Sequence, residues 1–269
     1  MKKKYKTMPG ALFIQGNSSL NIKNGDACFS EKGKQIVKAL NGDGTRDETT
    51  LGKGVFKRFG IARNGFNIIS NQFSIHYFFQ NRNSFYNFIR NLSENCKVGG
   101  LCIGTCYDGN RVFRMLQNKK LGESVFIQNE NGTKMWDLKK LYTQSTFPDD
   151  DTSLGYAVDV YQESINKTFT EYLVNFDFLI RTMENFGFVP ISDGEAQRMG
   201  FPQGIGSFEN LYDAMEEDIE SGKTKMANIG KATNMTPNEK TISFLNKYFI
   251  FKKVRSPNAK EITDNLLTI

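Results

Sequence analysis

The sequence has few of the residues that build metal or disulfide sites. It contains one histidine, one tryptophan and four cysteines in 269 residues. Cys102 and Cys106 are four residues apart, but one histidine cannot complete a zinc site with them. The two cysteines also fall in a strand-like stretch. Four irregularly spaced cysteines are also too few for a disulfide framework. We therefore expect no metal, and reduced thiols that pack as small apolar residues.

Long apolar runs and the common phosphate-binding loops are missing too. No run approaches the roughly 18 apolar residues of a membrane helix, and the start lacks a signal-peptide pattern. This predicts a soluble, intracellular protein without a membrane partner. The sequence has no GxxxxGK[ST] run, and its Gly99-Gly100 pair precedes a strand instead of opening a helix. No serine lies in a nucleophile-elbow context, which argues against Ser/His/Asp catalysis.

The composition is that of a folded protein with a basic surface. Hydrophobic residues make up 39% of the chain, which includes 23 phenylalanines, and the net charge is +6. A chain of this length can bury a substantial core. The positive charge fits a polyanionic partner such as RNA. It fits a plain solubilising surface equally well, and the composition leaves both readings open.

Periodicity and turn signals predict alternating strands and helices. Strands are expected at 11–15, 66–70 and 101–105, with helices at 31–40, capped by Ser30, and at 84–95, capped by Ser84. A mobile loop is expected at 42–54. Because a strand, a helix, Gly-Gly and a second strand follow one another from residue 66, the order is that of a βαβ unit in a parallel sheet. The fold class is therefore α/β.

The second half of the chain continues this pattern. Asp108 is expected to cap a helix, and apolar stripes predict further helices at 176–187 and 207–220. Residues 122–155 have short strand-like pieces and acidic turns, typical of an insertion or lid. A strand at 248–251 is expected to close the fold, and residues from 255 or 256 to 269 are expected to form a loose tail.

The most informative stretch is Gln72 to Tyr77, which holds the only histidine, His76. Ligands of open α/β sheets bind just beyond the carboxyl ends of the strands, where these polar side chains fall. Structural roles remain open alternatives: His76 as a satisfied buried residue, Gln72 as a helix cap and Tyr77 as part of the core. Glu171, almost a hundred residues later, is by itself only an acid beside an apolar stretch.

Five segments together resemble one family. Residues 66–77 (FNIISNQFSIHY) and 98–109 (VGGLCIGTCYDG) are similar to motifs of the mRNA cap (guanine-N7) methyltransferases, in the version found in large DNA viruses. The similarity continues at 169–177 (FTEYLVNFD), 186–188 (FGF) and 248–251 (YFIF). The resemblance implies a partial Rossmann-like, class I S-adenosylmethionine-dependent domain over residues 1–254. Its sheet would be mostly parallel, with an antiparallel closing strand.

The resemblance also implies roles for individual residues. Gln72 would contact S-adenosylmethionine near its reacting end, and Phe73 would pack on this cofactor. His76 and Tyr77 would line the guanine pocket, with Tyr77 also near the methionine moiety. Glu171 would accept hydrogen bonds from guanine N1–H and the 2-amino group, since a carboxylate is an acceptor-only group. The reaction would need neither a metal nor a catalytic acid or base.

The chain departs from the family pattern in three places. Asn17 stands where an acidic residue usually holds the adenine amino group, with Ser18 supplying a backbone contact. Asn246 stands where a tyrosine usually contacts the cap. The glycine-rich first loop and the acid that ends the second strand would precede Met1 and are missing, so we expect the C-terminal portion of a methyltransferase domain.

Two functional readings follow from the resemblance. The first is an mRNA (guanine-N7)-methyltransferase that modifies capped RNA, with the glycine-rich motif and other capping domains supplied by an upstream segment or a separate chain. The second is a non-catalytic cap-binding or stimulatory module that binds S-adenosylmethionine only with such a partner. A viral origin would place either in the host cytoplasm or in the virion.

Overall fold

The structure is a computed structural model that describes residues 10–268 of the chain. These residues form two compact units, with the boundary between Asn64 and Gly65. Among the helices of residues 10–268, none carries an apolar stretch long enough to span a bilayer. Over the same range, His, Cys, Asp and Glu side chains form no group of three suited to a metal ion.

The first unit contains two short helices. Helix α1 (Glu31–Asn41) begins at Ser30, whose side chain accepts a hydrogen bond from Gly33 N at 3.1 Å, as predicted. Helix α2 (Glu48–Phe56) begins at Asp47. The predicted loop at 42–54 is therefore wrong in its second half, because the Asp47 carboxylate accepts from Thr50 N and starts a helix there. A small core joins Ala39, Leu51 and Val55.

The strand predicted at 11–15 is not formed. These residues belong to no helix or strand, and the bridge between Gly16 and Cys28 is isolated. Phe13 is 93% exposed. An apolar run becomes a strand only where a partner strand satisfies its backbone groups. The first unit offers this run no such strand within its described residues.

The second unit is built on two sheets. The mixed sheet has the order β1-β2-β9-β7, with β8 also paired to β9. The antiparallel sheet has the order β3-β4-β5-β6. The strands are β1 (Phe66–Gln72), β2 (Cys96–Tyr107), β3 (Ser124–Gln128), β4 (Lys134–Lys140), β5 (Ala157–Gln162), β6 (Lys167–Tyr172), β7 (Phe188–Pro190), β8 (Ile205–Ser207) and β9 (Asn246–Lys253).

The predicted βαβ unit is confirmed. Strands β1 and β2 are parallel, with Gln72 opposite Thr105, and helix α3 (Arg82–Asn95) connects them. Helix α3 is capped by Asn81 instead of Ser84, because the Asn81 side chain accepts from the Ser84 backbone N–H at 3.0 Å. The α/β class is confirmed, although the sheet is mixed and β1/β2 is its only parallel pair in the described chain. The closing strand β9 is antiparallel, as predicted.

Strand β1 is more exposed than its apolar sequence indicates. An apolar run such as 66–69 predicts a buried strand, but Phe66 is 44% and Ile68 58% exposed, so this prediction is wrong. The reason is position: within the described chain β1 is the edge strand of its sheet, paired only with β2.

The remaining helices cover the two sheets. They are α4 (Gly109–Met115), α5 (Phe176–Asn185), α6 (Asp193–Arg198), α7 (Phe208–Glu220), α8 (Pro237–Ser243) and α9 (Ala259–Thr268). Asp108 caps α4 as predicted. The main core packs α3, α5 and α9 against the mixed sheet, and it includes Cys96, Cys102 and Cys106. All four cysteines are buried and unpaired, as predicted.

Two predictions about the second unit change in detail. The strand-like pieces within residues 122–155 are strands β3 and β4, which join β5 and β6 in one sheet. A lid role for this segment stays a prediction. The prediction of a loose tail is wrong for Ala259–Thr268, because these residues form a helix. Ile262, Leu266 and Leu267 pack on the main core, so their burial stabilises this end of the chain.

Candidate functional site

The site is built where β1 ends. Gln72 is the last residue of the strand, and a short 3-10 helix, Ile75–Gln80, follows with His76 and Tyr77 in its first turn. Phe73, between them, has φ +49°. This left-handed backbone is uncommon for a residue other than glycine. The Phe73 N–H donates to the Thr105 carbonyl at 2.9 Å, which holds the sharp change of direction in place.

Glu171 approaches the same place from the antiparallel sheet. It lies on β6, opposite Val158 of β5. Its Oε2 is 3.7 Å from His76 Nε2, which is too far for a hydrogen bond. Neither ring nitrogen of His76 has a hydrogen-bond partner among the described residues, although both atoms are buried. A buried polar atom without a partner is rare in a folded protein, and a ligand is one way to satisfy it.

His76, Tyr77 and Glu171 all line one cavity of ≈ 400 Å³, a volume within the range of small-molecule sites. Tyr77 is 42% exposed, so it is not a core residue. The cavity is lined by Phe73, His76, Tyr77, Tyr107, Val160, Gln162, Ile165, Lys167, Phe169, Glu171, Phe208, Ile242, Ser243 and Asn246. The structure thus brings together the predicted guanine-contacting residues from two distant segments.

Burial shifts the pKa values of the two facing groups in opposite directions. It raises the pKa of Glu171 to about 7, since the carboxylate loses hydration. It lowers the pKa of His76 to about 4, since the imidazolium loses hydration. Near pH 7, His76 is therefore neutral and Glu171 is divided between its acid and its carboxylate form. The two groups do not form an ion pair at neutral pH.

Gln72 and Phe73 lie between this cavity and a second one. Gln72 Oε1 accepts from Thr105 Oγ1 at 2.9 Å, and its Nε2 donates to Ser70 Oγ at 3.2 Å. These bonds fix the amide, so Gln72 does not cap a helix. Gln72 lines a largely apolar cavity of ≈ 350 Å³. Phe208 lines both cavities, and its ring meets Phe73 edge-on at 6.1 Å.

The remaining predicted cofactor residues, Asn17 and Ser18, belong to the first unit. They lie in a turn that no strand precedes. Asn17 Oδ1 accepts a hydrogen bond from Ser19 N at 3.0 Å. Their role toward a cofactor stays a prediction.

Sequence reasoning missed several lining residues. Tyr107, Gln162 and Lys167 were not singled out, although all three line the cavity. The signal for Tyr107 was present, because a polar residue ends a β2 strand that runs parallel to β1. Gln162 and Lys167 face the cavity only through the pairing of β5 with β6, which the sequence does not encode in any local pattern. Asn246, noted as a departure, also lines the cavity.

Comparison with known proteins points to one family. The model of the mRNA (guanine-N(7))-methyltransferase domain matches residues 38–254. A probable mRNA-capping enzyme of Acanthamoeba polyphaga mimivirus is 25% identical over 217 residues, which is 75% of this chain and 18% of that protein. An mRNA-capping enzyme of African swine fever virus is 23% identical over 194 residues, covering 70% of this chain and 21% of that protein. The chain therefore spans about a fifth of these relatives.

Solved structures show weaker likeness. A putative S-adenosylmethionine-dependent methyltransferase from Listeria monocytogenes matches with a TM-score of 0.36 and 13% identity, over 71% of this chain and 62% of that one. The CcbJ methyltransferase of Streptomyces caelestis matches with a TM-score of 0.37 and 9% identity, over 71% and 61%. Scores this low carry no argument. The family match covers most of the chain and supports S-adenosylmethionine as the cofactor. The chain belongs to the mRNA (guanine-N7)-methyltransferase domain family.

Proposed function

We propose that this chain binds the guanine of an mRNA cap in the cavity lined by His76, Tyr77 and Glu171, and that it acts in methyl transfer from S-adenosylmethionine to guanine N7. One observation carries the proposal: a partly buried carboxylate and a buried imidazole, brought together from distant segments, line the same nucleotide-sized cavity. Family membership supplies the class of reaction.

The chemistry of the lining residues suits guanine. The ionised Glu171 carboxylate accepts hydrogen bonds only, and guanine N1–H and its 2-amino group donate. The centroids of the neutral His76 ring and the Tyr77 ring are 4.3 Å apart. Together the two rings form a surface against which a planar base packs. Because guanine N7 carries a free lone pair, no base is needed to activate it. His76 therefore positions the purine and relays no proton.

The second unit offers candidate contacts for the cofactor. Gln72 would contact its reacting end from the apolar cavity, where its amide is fixed, and Phe73 and Tyr77 would contact it with partly exposed rings that line the guanine cavity. S-adenosylmethionine supplies an activated methyl group. The chain's residues contribute alignment, which is worth up to about 7–11 kcal/mol when the geometry is ideal. Asn17 and Ser18 remain proposed contacts to the adenosine.

Removal of the carboxylate tests the cap site. Glu171→Ala should weaken binding of GpppA, the unmethylated cap dinucleotide, about 10- to 100-fold in calorimetry, because hydrogen bonds to a charged acceptor are lost. Glu163→Ala is the matched control, since Glu163 is exposed and outside the cavity. It should leave the affinity unchanged.

One result would contradict the cap site. Unchanged GpppA affinity in a folded Glu171→Ala variant would remove Glu171 from the site. A large drop in its melting temperature would show a folding defect, and the Glu171→Gln variant would then replace it as the test.

The second candidate is a cap-binding or stimulatory module that needs a partner to bind the cofactor. The position of β1 at the edge of the described sheet favours it, since an edge strand leaves backbone groups available for pairing. Calorimetry with S-adenosylmethionine separates the two. Micromolar binding by the isolated chain supports the enzyme, whereas GpppA binding without cofactor binding supports the module.

A further inference from the structure

The cavity has chemically distinct ends. Among its lining residues in the described chain, Glu171 is the only carboxylate and Lys167 the only cation. Both lie on β6. Because successive side chains of a strand point to opposite faces, residues 167, 169 and 171 share one face. Four residues of extended strand separate them by about 13 Å. A nucleotide that places its base at Glu171 and points its phosphates along β6 spans a comparable distance.

The end near Lys167 is rich in hydrogen-bond donors. The Tyr107 hydroxyl accepts from Trp136 Nε1 at 3.1 Å and from Gln162 Nε2 at 3.2 Å, which leaves its own hydrogen to donate. The hydroxyl of Ser243 adds another donor to the lining. Donors without carboxylates are the environment that an anion requires.

Lys167 is free to bind such an anion. It forms no hydrogen bond or ion pair with the described residues, and its backbone pairs with Gln162 beside the turn that joins β5 to β6. Two other lysines of the same sheet, Lys134 and Lys140, are engaged elsewhere. Lys134 Nζ, for example, lies 2.5 Å from Asp137 Oδ2 on the opposite face. A solvated ammonium at the mouth of a cavity gains from a phosphate partner without breaking an existing pair.

We propose that Lys167 binds the triphosphate bridge of the cap, so that the cavity recognises the guanine at Glu171 and the phosphates at Lys167. This rests on the proposed function and adds a substrate contact to it. The apolar floor between the two ends, Val160 and Phe169, then lies under the ribose.

The test removes the charge and keeps a polar side chain that is only one atom shorter. Lys167→Gln should weaken GpppA binding about fivefold at 0.05 M salt, the effect of one phosphate contact of about 1 kcal/mol. The loss should shrink to within about twofold at 0.5 M salt, where a solvent-exposed contact is screened. Lys167→Arg should retain the affinity at low salt, since it keeps the charge.

Lys139→Gln is the matched control. Lys139 lies opposite Asp159 on the other face of the same sheet, so its substitution changes net charge equally. It should leave GpppA affinity unchanged. Three results would overturn the proposal: less than a twofold effect of Lys167→Gln at low salt, the same loss at both salt concentrations, or an equal loss in Lys139→Gln.

Glu171→Ala, measured alongside, separates this inference from the function beneath it. If Glu171→Ala loses affinity and Lys167→Gln does not, only the phosphate contact is wrong. If Glu171→Ala keeps full affinity, the guanine site itself is wrong and the phosphate contact falls with it.

Discussion

In the proposed function, the pair of His76 and Glu171 decides what the candidate cavity accepts. Burial keeps His76 neutral across the physiological range and brings the pKa of Glu171 to about 7. A protonated Glu171 would present a hydrogen to guanine N1–H, and two donors repel. The carboxylate form is therefore the one proposed to bind guanine, and its fraction rises with pH.

The affinity for the cap should follow this ionisation. Between pH 6 and pH 8 the carboxylate fraction of a group with a pKa about 7 rises about tenfold, so GpppA affinity should rise by the same factor. The Glu171→Gln variant should bind GpppA weakly, and its affinity should not rise with pH. The Glu163→Gln control should keep the tenfold rise. Calorimetry at four pH values provides the measurement. An affinity that falls as the pH rises, or a rise that persists in Glu171→Gln, would contradict the assigned role of this carboxyl group.

The residues of the site differ in how far the sequence predicts them. His76, Tyr77 and Glu171 were assigned through extended motifs, and the structure brings them together. Lys167 depends on the register between β5 and β6, which has no local sequence signal. The pKa shifts of the pair were also beyond prediction, because they arise from burial by residues distant in the sequence.

Among the helices, those with a cap and an apolar stripe were the predictable ones. α1 and α3 have both, and the structure forms them within one or two residues of the expected ends. α9 has apolar residues at 262 and 266, but its tertiary partner, α3, lies far back in the chain. Its stability comes from packing on that partner, and a local pattern does not show this.

Truncation of one packed side chain tests the contribution of α9. Leu266→Ala removes apolar surface from the main core and should lower the free energy of unfolding by about 1–2 kcal/mol in urea denaturation. Lys260→Ala, which removes an exposed pair with Asp264 on the same helix, should change it by less than about 0.5 kcal/mol. Equal effects of the two substitutions would mean that α9 does not stabilise the fold.

Across the whole molecule, both cavities are lined entirely by residues of the second unit. The sequence predicted the α/β class and the order of the motifs from residue 66 onward. It did not predict the division between Asn64 and Gly65, since a turn-rich segment does not reveal which contacts cross it. It also placed a strand before Asn17 that the structure lacks, because an apolar run was taken as sufficient.

Guanine recognition by a single carboxylate is the central claim, and a pair of ligands tests it directly. IpppA, in which inosine replaces guanosine, lacks only the 2-amino group that Glu171 is proposed to bind. The wild-type chain should prefer GpppA over IpppA about tenfold, and Glu171→Ala should show no preference, because the lost hydrogen bond involves that carboxylate. A tenfold preference that survives in Glu171→Ala would show that another group reads the guanine edge.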